Sequence, residues 1–169
     1  MIIETKFGEI EVELYADQAT KSVAAFLANV DAEVYENSQF YRVLSRDNQP
    51  SDAEKTELVQ GGIWRSKNRE KLNRPAIPHE TTEQTKVLHK DGVISLARLE
   101  PGTATTEFFI CIGDQPSLDF GSSSNADKQG YAAFGKVFKG MEIVRRIQNQ
   151  NAYDQSFDPP VDIFGIKRL

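Results

Sequence analysis

The chain has 169 residues, of which 39% are hydrophobic and 27% charged, and this length predicts a single globular domain over residues 1–169. Its formal net charge of −5 argues against nucleic acid as a partner, and no apolar stretch reaches the roughly 20 residues of a membrane span. Cys111 is the only cysteine, which excludes an internal disulfide and a cysteine-based metal site.

The first segment predicts an antiparallel pair of strands. Over residues 10–14 apolar side chains alternate with glutamates, which is the pattern of a half-buried strand. Ile2 and Ile3 begin a similar run, and the turn between the two runs ends at Gly8. Glycine suits this position because it adopts a positive φ without steric cost.

Two helices are predicted. From Val23 to Val34 apolar residues follow at spacings of 3, 1, 3 and 4, which places them on one helical face. Thr20 or Ser22 is expected to cap the first turn. The second helix is predicted over residues 141–148, directly after Gly140.

The remaining elements are predicted as short strands separated by polar loops. The strands are expected at residues 40–44, 58–60, 93–97, 107–112, 132–138 and 161–166. Loops are expected at residues 45–57, 63–91 and 120–130. Because the strands do not alternate with helices, the pattern predicts a mainly β fold, a closed eight-stranded antiparallel β-barrel capped by two α-helices.

Several kinds of site are not indicated by the sequence. His79 and His89 lie in a polar stretch without metal-ligand spacing, so both are expected to be solvated. Cys111 lies inside an apolar run and is predicted to be an inert core thiol. No glycine-rich phosphate loop is present, so neither a cofactor nor a metal is expected.

Three fragments carry polar groups among apolar strands. Arg42 lies within an apolar run, where its permanent charge is costly to bury unless it is paired. Gln60 precedes two glycines, and Glu107 precedes an apolar run that begins at Phe108. Each fragment alone also fits a structural role: a salt-bridged arginine, a turn or a core strand.

In combination these fragments resemble the cyclophilin family of peptidyl-prolyl cis-trans isomerases, specifically its bacterial single-domain members. The motifs that carry the resemblance occur in this order: Phe40-Tyr41-Arg42-Val43, Val59-Gln60-Gly61-Gly62, Gly92-Val93-Ile94-Ser95-Leu96-Ala97-Arg98, Glu107-Phe108-Phe109-Ile110 and Tyr131-Ala132-Ala133-Phe134-Gly135-Lys136-Val137. The family's eight-stranded barrel with two helices agrees with the fold predicted above. The resemblance implies catalysed rotation about X–Pro bonds in protein substrates, assistance to protein folding and no cofactor.

The resemblance also implies roles for individual residues. Arg42 matches the catalytic arginine that donates to the prolyl nitrogen, and Gln60 matches the amide that orients it. The substrate-binding residues implied are Leu58, Ala97, Arg98, Glu107, Phe109, Leu118 and Tyr131. Within this set, Leu58, Phe109 and Leu118 would grip the proline ring, and the backbone of residues 97–98 would pair with the substrate.

Four positions depart from the family pattern. Glu107 replaces a more usual Gln and is expected to pair with Arg42 or Arg98, so Glu107→Gln is expected to keep or raise activity. Arg98, more usually Asn, is expected to add positive charge beside the peptide groove. Glu57 replaces an apolar ring, which would weaken one wall of the pocket. Ser117 replaces the Trp of cyclosporin-sensitive members, so weak or no cyclosporin binding is expected.

Two functions remain open at this stage. The first is an active isomerase that acts on proline-containing peptides and on unfolded or folding proteins. The second is a cyclophilin-like module that binds proline peptides with weak or no turnover. The first ten residues carry no signal-peptide pattern, so a cytoplasmic monomer is expected, or a periplasmic or exported one if a leader preceded Met1.

Overall fold

The computed structural model describes residues 1–169 as one antiparallel sheet of nine strands with three α-helices. The strands are β1 (Ile2–Thr5), β2 (Gly8–Leu14), β3 (Ser38–Leu44), β4 (Leu58–Gly62), β5 (Val93–Leu96), β6 (Phe108–Cys111), β7 (Ala132–Lys139), β8 (Ala152–Tyr153) and β9 (Ser156–Lys167). The helices are α1 (Thr20–Asp31), α2 (Thr82–Thr85) and α3 (Met141–Gln148). The prediction of a mainly β fold is confirmed.

Eight of the nine strands close into a barrel. Their order is β1-β2-β7-β5-β6-β4-β3-β9, and β9 pairs back onto β1 with Ile166 opposite Ile3. The ninth strand, β8, has two residues and forms a hairpin with β9. Closure gives the barrel strands neighbours on both sides, which removes the long exposed edges of an open sheet. The predicted eight-stranded barrel is therefore confirmed.

The predicted hairpin opens the chain. Ile3 of β1 lies opposite Ile10 of β2. Gly8 follows the turn with φ at +131°, a value that glycine adopts far more easily than other residues. The hydroxyl of Thr5 donates to the carbonyl of Gly8 at 2.8 Å, which closes the turn.

The start of α1 differs from the prediction. Neither Thr20 nor Ser22 caps the helix through its side chain. Instead, the carboxylate of Glu80 accepts hydrogen bonds from the backbone N–H groups of Lys21 and Ser22, at 3.1 and 2.8 Å. An acidic side chain is favourable at this end, because the first N–H groups of a helix have no partner within it. The predicted loop thus supplies the cap from a distant part of the chain.

The predicted loop over residues 63–91 contains a third helix. A 3-10 turn spans Arg69–Leu72, and α2 follows as a single turn. The hydroxyl of Thr81 accepts from the N–H of Gln84, whose side-chain oxygen accepts from the N–H of Thr81. A one-turn helix is too short to show an apolar period, which is why the sequence predicted two helices. None of the three helices has the length and apolar character that a membrane crossing requires.

A cluster of aromatic rings lies where α1 packs on the barrel. The ring of Phe26 on α1 stacks against Tyr35 at a centroid distance of 5.0 Å. It also meets Phe108 at 5.7 Å and Phe134 at 4.9 Å. All four side chains are buried, so α1 joins the barrel through one continuous aromatic cluster.

We expect Phe26→Ala to lower the free energy of unfolding by about 3–5 kcal/mol, because it removes the ring at the centre of this cluster. Urea unfolding followed by circular dichroism measures the change. The control is Phe138→Ala, whose ring is 59% exposed and whose loss is expected to cost about 1 kcal/mol or less. Equal losses in the two variants would contradict a core organised around Phe26.

Candidate active site

A β-bulge in β3 turns two consecutive side chains toward β4. Phe40 lies opposite Gly61, and Arg42 lies opposite Gln60, so the register shifts by one residue between them. Tyr41 is the extra residue of the bulge. Consecutive side chains of a regular strand point to opposite faces, and a bulge changes that direction. Both Tyr41 and Arg42 therefore reach the side-chain amide of Gln60.

Two neutral amides hold the guanidinium of Arg42. Its Nη1 donates to Oε1 of Gln60 at 3.2 Å. Its Nε and Nη2 donate to Oε1 of Gln155, in the β8–β9 hairpin, at 3.3 and 2.8 Å. These bonds use three of the five N–H groups of the guanidinium. No carboxylate forms an ion pair with Arg42, so its positive charge remains available to a ligand.

Arg42 is one of the residues that line a cavity of about 340 Å³. Leu58, Phe109 and Leu118 belong to a small buried cluster that lines the apolar side of this cavity. The ring of Tyr131 meets that of Phe109 edge-on at a centroid distance of 5.5 Å. The cavity therefore combines an apolar surface with one fixed positive charge.

The structure brings eight of the nine predicted site residues to this cavity. They are Arg42, Leu58, Gln60, Ala97, Arg98, Phe109, Leu118 and Tyr131. Glu107 lines a neighbouring cavity of about 390 Å³, which Trp64 and Leu99 also line. The N–H of Ala97 already donates to the carbonyl of Glu107 at 2.9 Å, so this N–H is not open to a bound peptide.

The expectation that Arg98 adds positive charge to the groove is wrong. Its side chain is 3% exposed, and its two terminal nitrogens donate to the carboxylate of Asp127 at 2.9 and 3.0 Å. Its Nε donates to the carbonyl of Gly130 at 3.0 Å, and the guanidinium lies 4.9 Å from the centre of the Tyr131 ring. Asp127 thus neutralises Arg98 and ties the loop over residues 120–130 to the end of β5.

The family model described as cyclophilin type peptidyl-prolyl cis-trans isomerase/CLD matches residues 1–168 of the chain. The chain belongs to the cyclophilin family. The resemblance predicted from the five sequence motifs is therefore confirmed, and the match covers the whole barrel.

Curated relatives agree with this assignment, and a solved structure shares the fold. The peptidyl-prolyl cis-trans isomerase of Acinetobacter baylyi is 32% identical over 148 residues, which cover 87% of this chain and 70% of the relative. Peptidyl-prolyl cis-trans isomerase A of Dickeya dadantii is 33% identical over 173 residues, covering 99% and 83%. A cyclophilin-type isomerase of Cryptosporidium parvum, solved in the presence of the dipeptide Ala-Pro, matches with a TM-score of 0.71 at 21% identity, covering 97% and 94%.

Glu107 departs from our expectation for this cyclophilin, because its carboxylate pairs with neither Arg42 nor Arg98. The carboxylate oxygens accept hydrogen bonds from four other donors: the hydroxyls of Tyr41 and Thr106 and the N–H groups of Ile63 and Trp64. Burial raises the pKa of Glu107 above its ordinary value, although each of these bonds acts to lower that pKa. The bulge at Tyr41 explains the difference, since it places a hydroxyl where we expected a guanidinium.

Glu57 does not weaken a wall of the pocket, contrary to our expectation. Its carboxylate accepts from Nε of Arg46 at 3.1 Å and from Nε2 of Gln148 at 3.0 Å. Its neighbours Thr56 and Leu58 line the cavity instead. In an extended chain neighbouring side chains point to opposite sides, so the charge of Glu57 faces away from the pocket.

His89 is a residue of this cyclophilin site whose position the sequence did not predict. It was expected to be solvated but is 1% exposed, with its ring stacked on Phe109 at a centroid distance of 6.0 Å. Nδ1 lies 2.7 Å from Oδ1 of Asp119, and Nε2 lies 3.0 Å from the hydroxyl of Ser95. His89 thus packs behind Phe109, which lines the cavity. His79 is half-buried, again contrary to expectation, and burial lowers its pKa.

Cys111 lies behind the pocket wall, where it is fully buried. Burial raises the pKa of its thiol well above the ordinary value, which disfavours the reactive thiolate. The prediction that Cys111 is a core thiol is confirmed. No group of three or more His, Cys, Asp or Glu side chains is arranged to hold a metal ion.

We expect Asp127→Asn to loosen the loop over residues 120–130, because the substitution removes the negative charge through which this loop is bound to Arg98. Trypsin should then cleave the native protein faster after Lys128, as followed by mass spectrometry. Asp114→Asn is the matched control, since Asp114 pairs with Lys90 away from this loop. Equal cleavage rates in the wild type and Asp127→Asn would show that the ion pair does not hold the loop.

Proposed function

We propose that this chain catalyses cis–trans isomerisation of X–Pro bonds in protein substrates, with Arg42 as the catalytic residue. The proline ring would occupy the cavity formed by Leu58, Phe109 and Leu118, and the guanidinium would donate to the prolyl nitrogen. One observation carries this proposal: an arginine that neutral amides hold lines a cavity with an apolar side. Membership of the cyclophilin family supports the same reaction.

The chemistry follows from the electronic structure of the amide. A planar X–Pro amide rotates slowly, because rotation removes its resonance and the barrier is about 20 kcal/mol. At the midpoint the nitrogen becomes pyramidal and regains a lone pair. A donor at this nitrogen stabilises the twisted state more than either planar state, and such differential binding lowers the barrier.

The surroundings of Arg42 suit this role. Its charge does not depend on pH in the range where proteins are stable, so the donor is always protonated. Gln60 and Gln155 fix the guanidinium without neutralising it. The apolar side of the cavity would exclude water from a bound proline ring, and exclusion of water strengthens a hydrogen bond to a charged donor.

The proposed substrates are proline-containing peptides and proteins that are unfolded or folding. The cavity suits this class because its apolar side could accept a proline ring, while Arg42 could donate to the nitrogen of that ring. A monomeric state and a cytoplasmic location remain predictions from the sequence.

We expect Arg42→Ala to lower the catalysed exchange rate about 100-fold or more, as is typical when a single transition-state donor is removed. Two-dimensional exchange NMR of a proline peptide measures the rate directly from its cis and trans signals. Arg145→Ala is the matched control, because Arg145 of α3 pairs with Asp91 and does not line the cavity. A wild-type protein that binds the peptide without speeding exchange would instead identify a proline-binding module.

We expect weak or no cyclosporin binding, because the small side chain of Ser117 lies at the rim of the cavity where sensitive members carry Trp. Its hydroxyl lies 3.4 Å from that of Thr56, so the pair presents a polar rim instead of an aromatic ring. Isothermal titration calorimetry measures the affinity. A nanomolar dissociation constant would contradict the expectation.

A further inference from the structure

A chain of hydrogen bonds links Glu107 to the guanidinium of Arg42. The hydroxyl of Tyr41 donates to Oε2 of Glu107 at 2.7 Å. Nε2 of Gln60 donates to the same hydroxyl at 2.9 Å, and Oε1 of Gln60 accepts from Nη1 of Arg42 at 3.2 Å. This series of hydrogen bonds runs from the anionic Glu107 to the cationic Arg42, and the side chains of Tyr41 and Gln60 between them are neutral.

Glu107 and Arg42 determine which group donates and which accepts in each of these hydrogen bonds. An ionised carboxylate only accepts hydrogen bonds, so the hydroxyl proton of Tyr41 points to Glu107. The oxygen of Tyr41 then accepts from the NH₂ group of Gln60, which leaves the carbonyl of Gln60 facing Arg42. A guanidinium only donates, so a reversed amide would set two donors against each other.

We propose that Glu107 is a positioning residue: it fixes the orientation of Tyr41 and Gln60 and thereby holds Arg42 against the prolyl nitrogen. This inference rests on the proposed function of Arg42. It extends that function to Glu107, which contacts neither Arg42 nor Arg98.

The carboxylate of Glu107 is itself held firmly. Its Oε1 accepts from the N–H groups of Ile63 and Trp64 at 3.0 and 3.2 Å and from the hydroxyl of Thr106 at 2.9 Å. Gly62 makes this approach possible, since a Cβ there would overlap the carboxylate of Glu107. With three donors on Oε1, the carboxylate has no freedom to turn away from Tyr41.

This arrangement reverses the expected effect of Glu107→Gln. If the new carbonyl faces Ile63 and Trp64, its NH₂ group faces Tyr41, whose hydroxyl proton then loses its acceptor. If the carbonyl faces Tyr41, the NH₂ group faces two N–H donors. Either orientation leaves buried donors unpaired, which is costly, and the sequence-based expectation of equal or higher activity no longer holds.

Acid pH should lower the activity, as Glu107→Gln should. Protonation gives Glu107 an O–H donor and leaves it fewer acceptor sites for its four donors, so activity should fall as the pH drops through its pKa, which burial raises. The titratable groups that face the carboxylate are Tyr41 of β3 and Tyr35, and burial raises the pKa of both. Arg42 lies beyond Gln60 and stays charged. An acidic limb in the pH profile is therefore attributable to Glu107.

The test compares Glu107→Gln with the wild type by exchange NMR of a proline peptide. We expect kcat/KM to fall about tenfold, mainly through kcat, and the acidic limb of the pH profile to disappear. The side-chain NH₂ signals of Gln60 should shift in the variant. Glu80→Gln is the matched control, because it alters another buried carboxylate and is expected to lower stability while leaving kcat/KM and the Gln60 signals unchanged.

A second variant keeps the test decisive if Glu107→Gln folds poorly. Tyr41→Phe keeps the ring but breaks the chain of hydrogen bonds, so it should cause a similar loss that is not additive with Glu107→Gln. Unchanged kcat/KM and unchanged Gln60 signals in the folded variants would overturn the inference, as would an equal loss of activity in Glu80→Gln. If the wild type does not speed exchange, the proposed function fails, and the Gln60 signals still report on the positioning role.

Discussion

The site depends on a positive charge that the fold holds in place without neutralising it. Two arginines line the same cavity, and only one of them forms an ion pair. Asp127 cancels the charge of Arg98 and converts that side chain into a structural tie. Arg42 is held by the amides of Gln60 and Gln155, which accept its hydrogen bonds but carry no net charge. Only the second arrangement leaves a strong donor for a ligand.

The closed barrel makes this arrangement possible, because it places three distant parts of the chain side by side. β3 lies between β4 and β9, and these neighbours bring Gln60 and Gln155 to the two sides of Arg42. The bulge at Tyr41 then directs two adjacent side chains of β3 to the same amide. A regular strand would have sent one of them to the other face of the sheet, and the link to Glu107 would not exist.

The sequence predicted most of the strands, both longer helices and the set of residues around the cavity, because periodicity and ordered motifs are local signals. It did not predict the contacts that depend on register or on distant partners. His89 is buried because Asp119 and Ser95 satisfy its ring nitrogens, and nothing beside it in the sequence indicates either partner. The expected pairing of Glu107 with an arginine was wrong for a similar reason: residue types alone do not reveal a bulge.

The late position of β9 in the chain has a consequence for how the protein is made. During translation, Arg42 and Gln60 leave the ribosome long before Gln155 and the strand that follows it. Until β9 has emerged, the nascent polypeptide has neither its closing strand nor the second amide that holds the guanidinium. A polypeptide that ends before β9 would therefore carry Arg42 without its second amide partner and without a closed barrel.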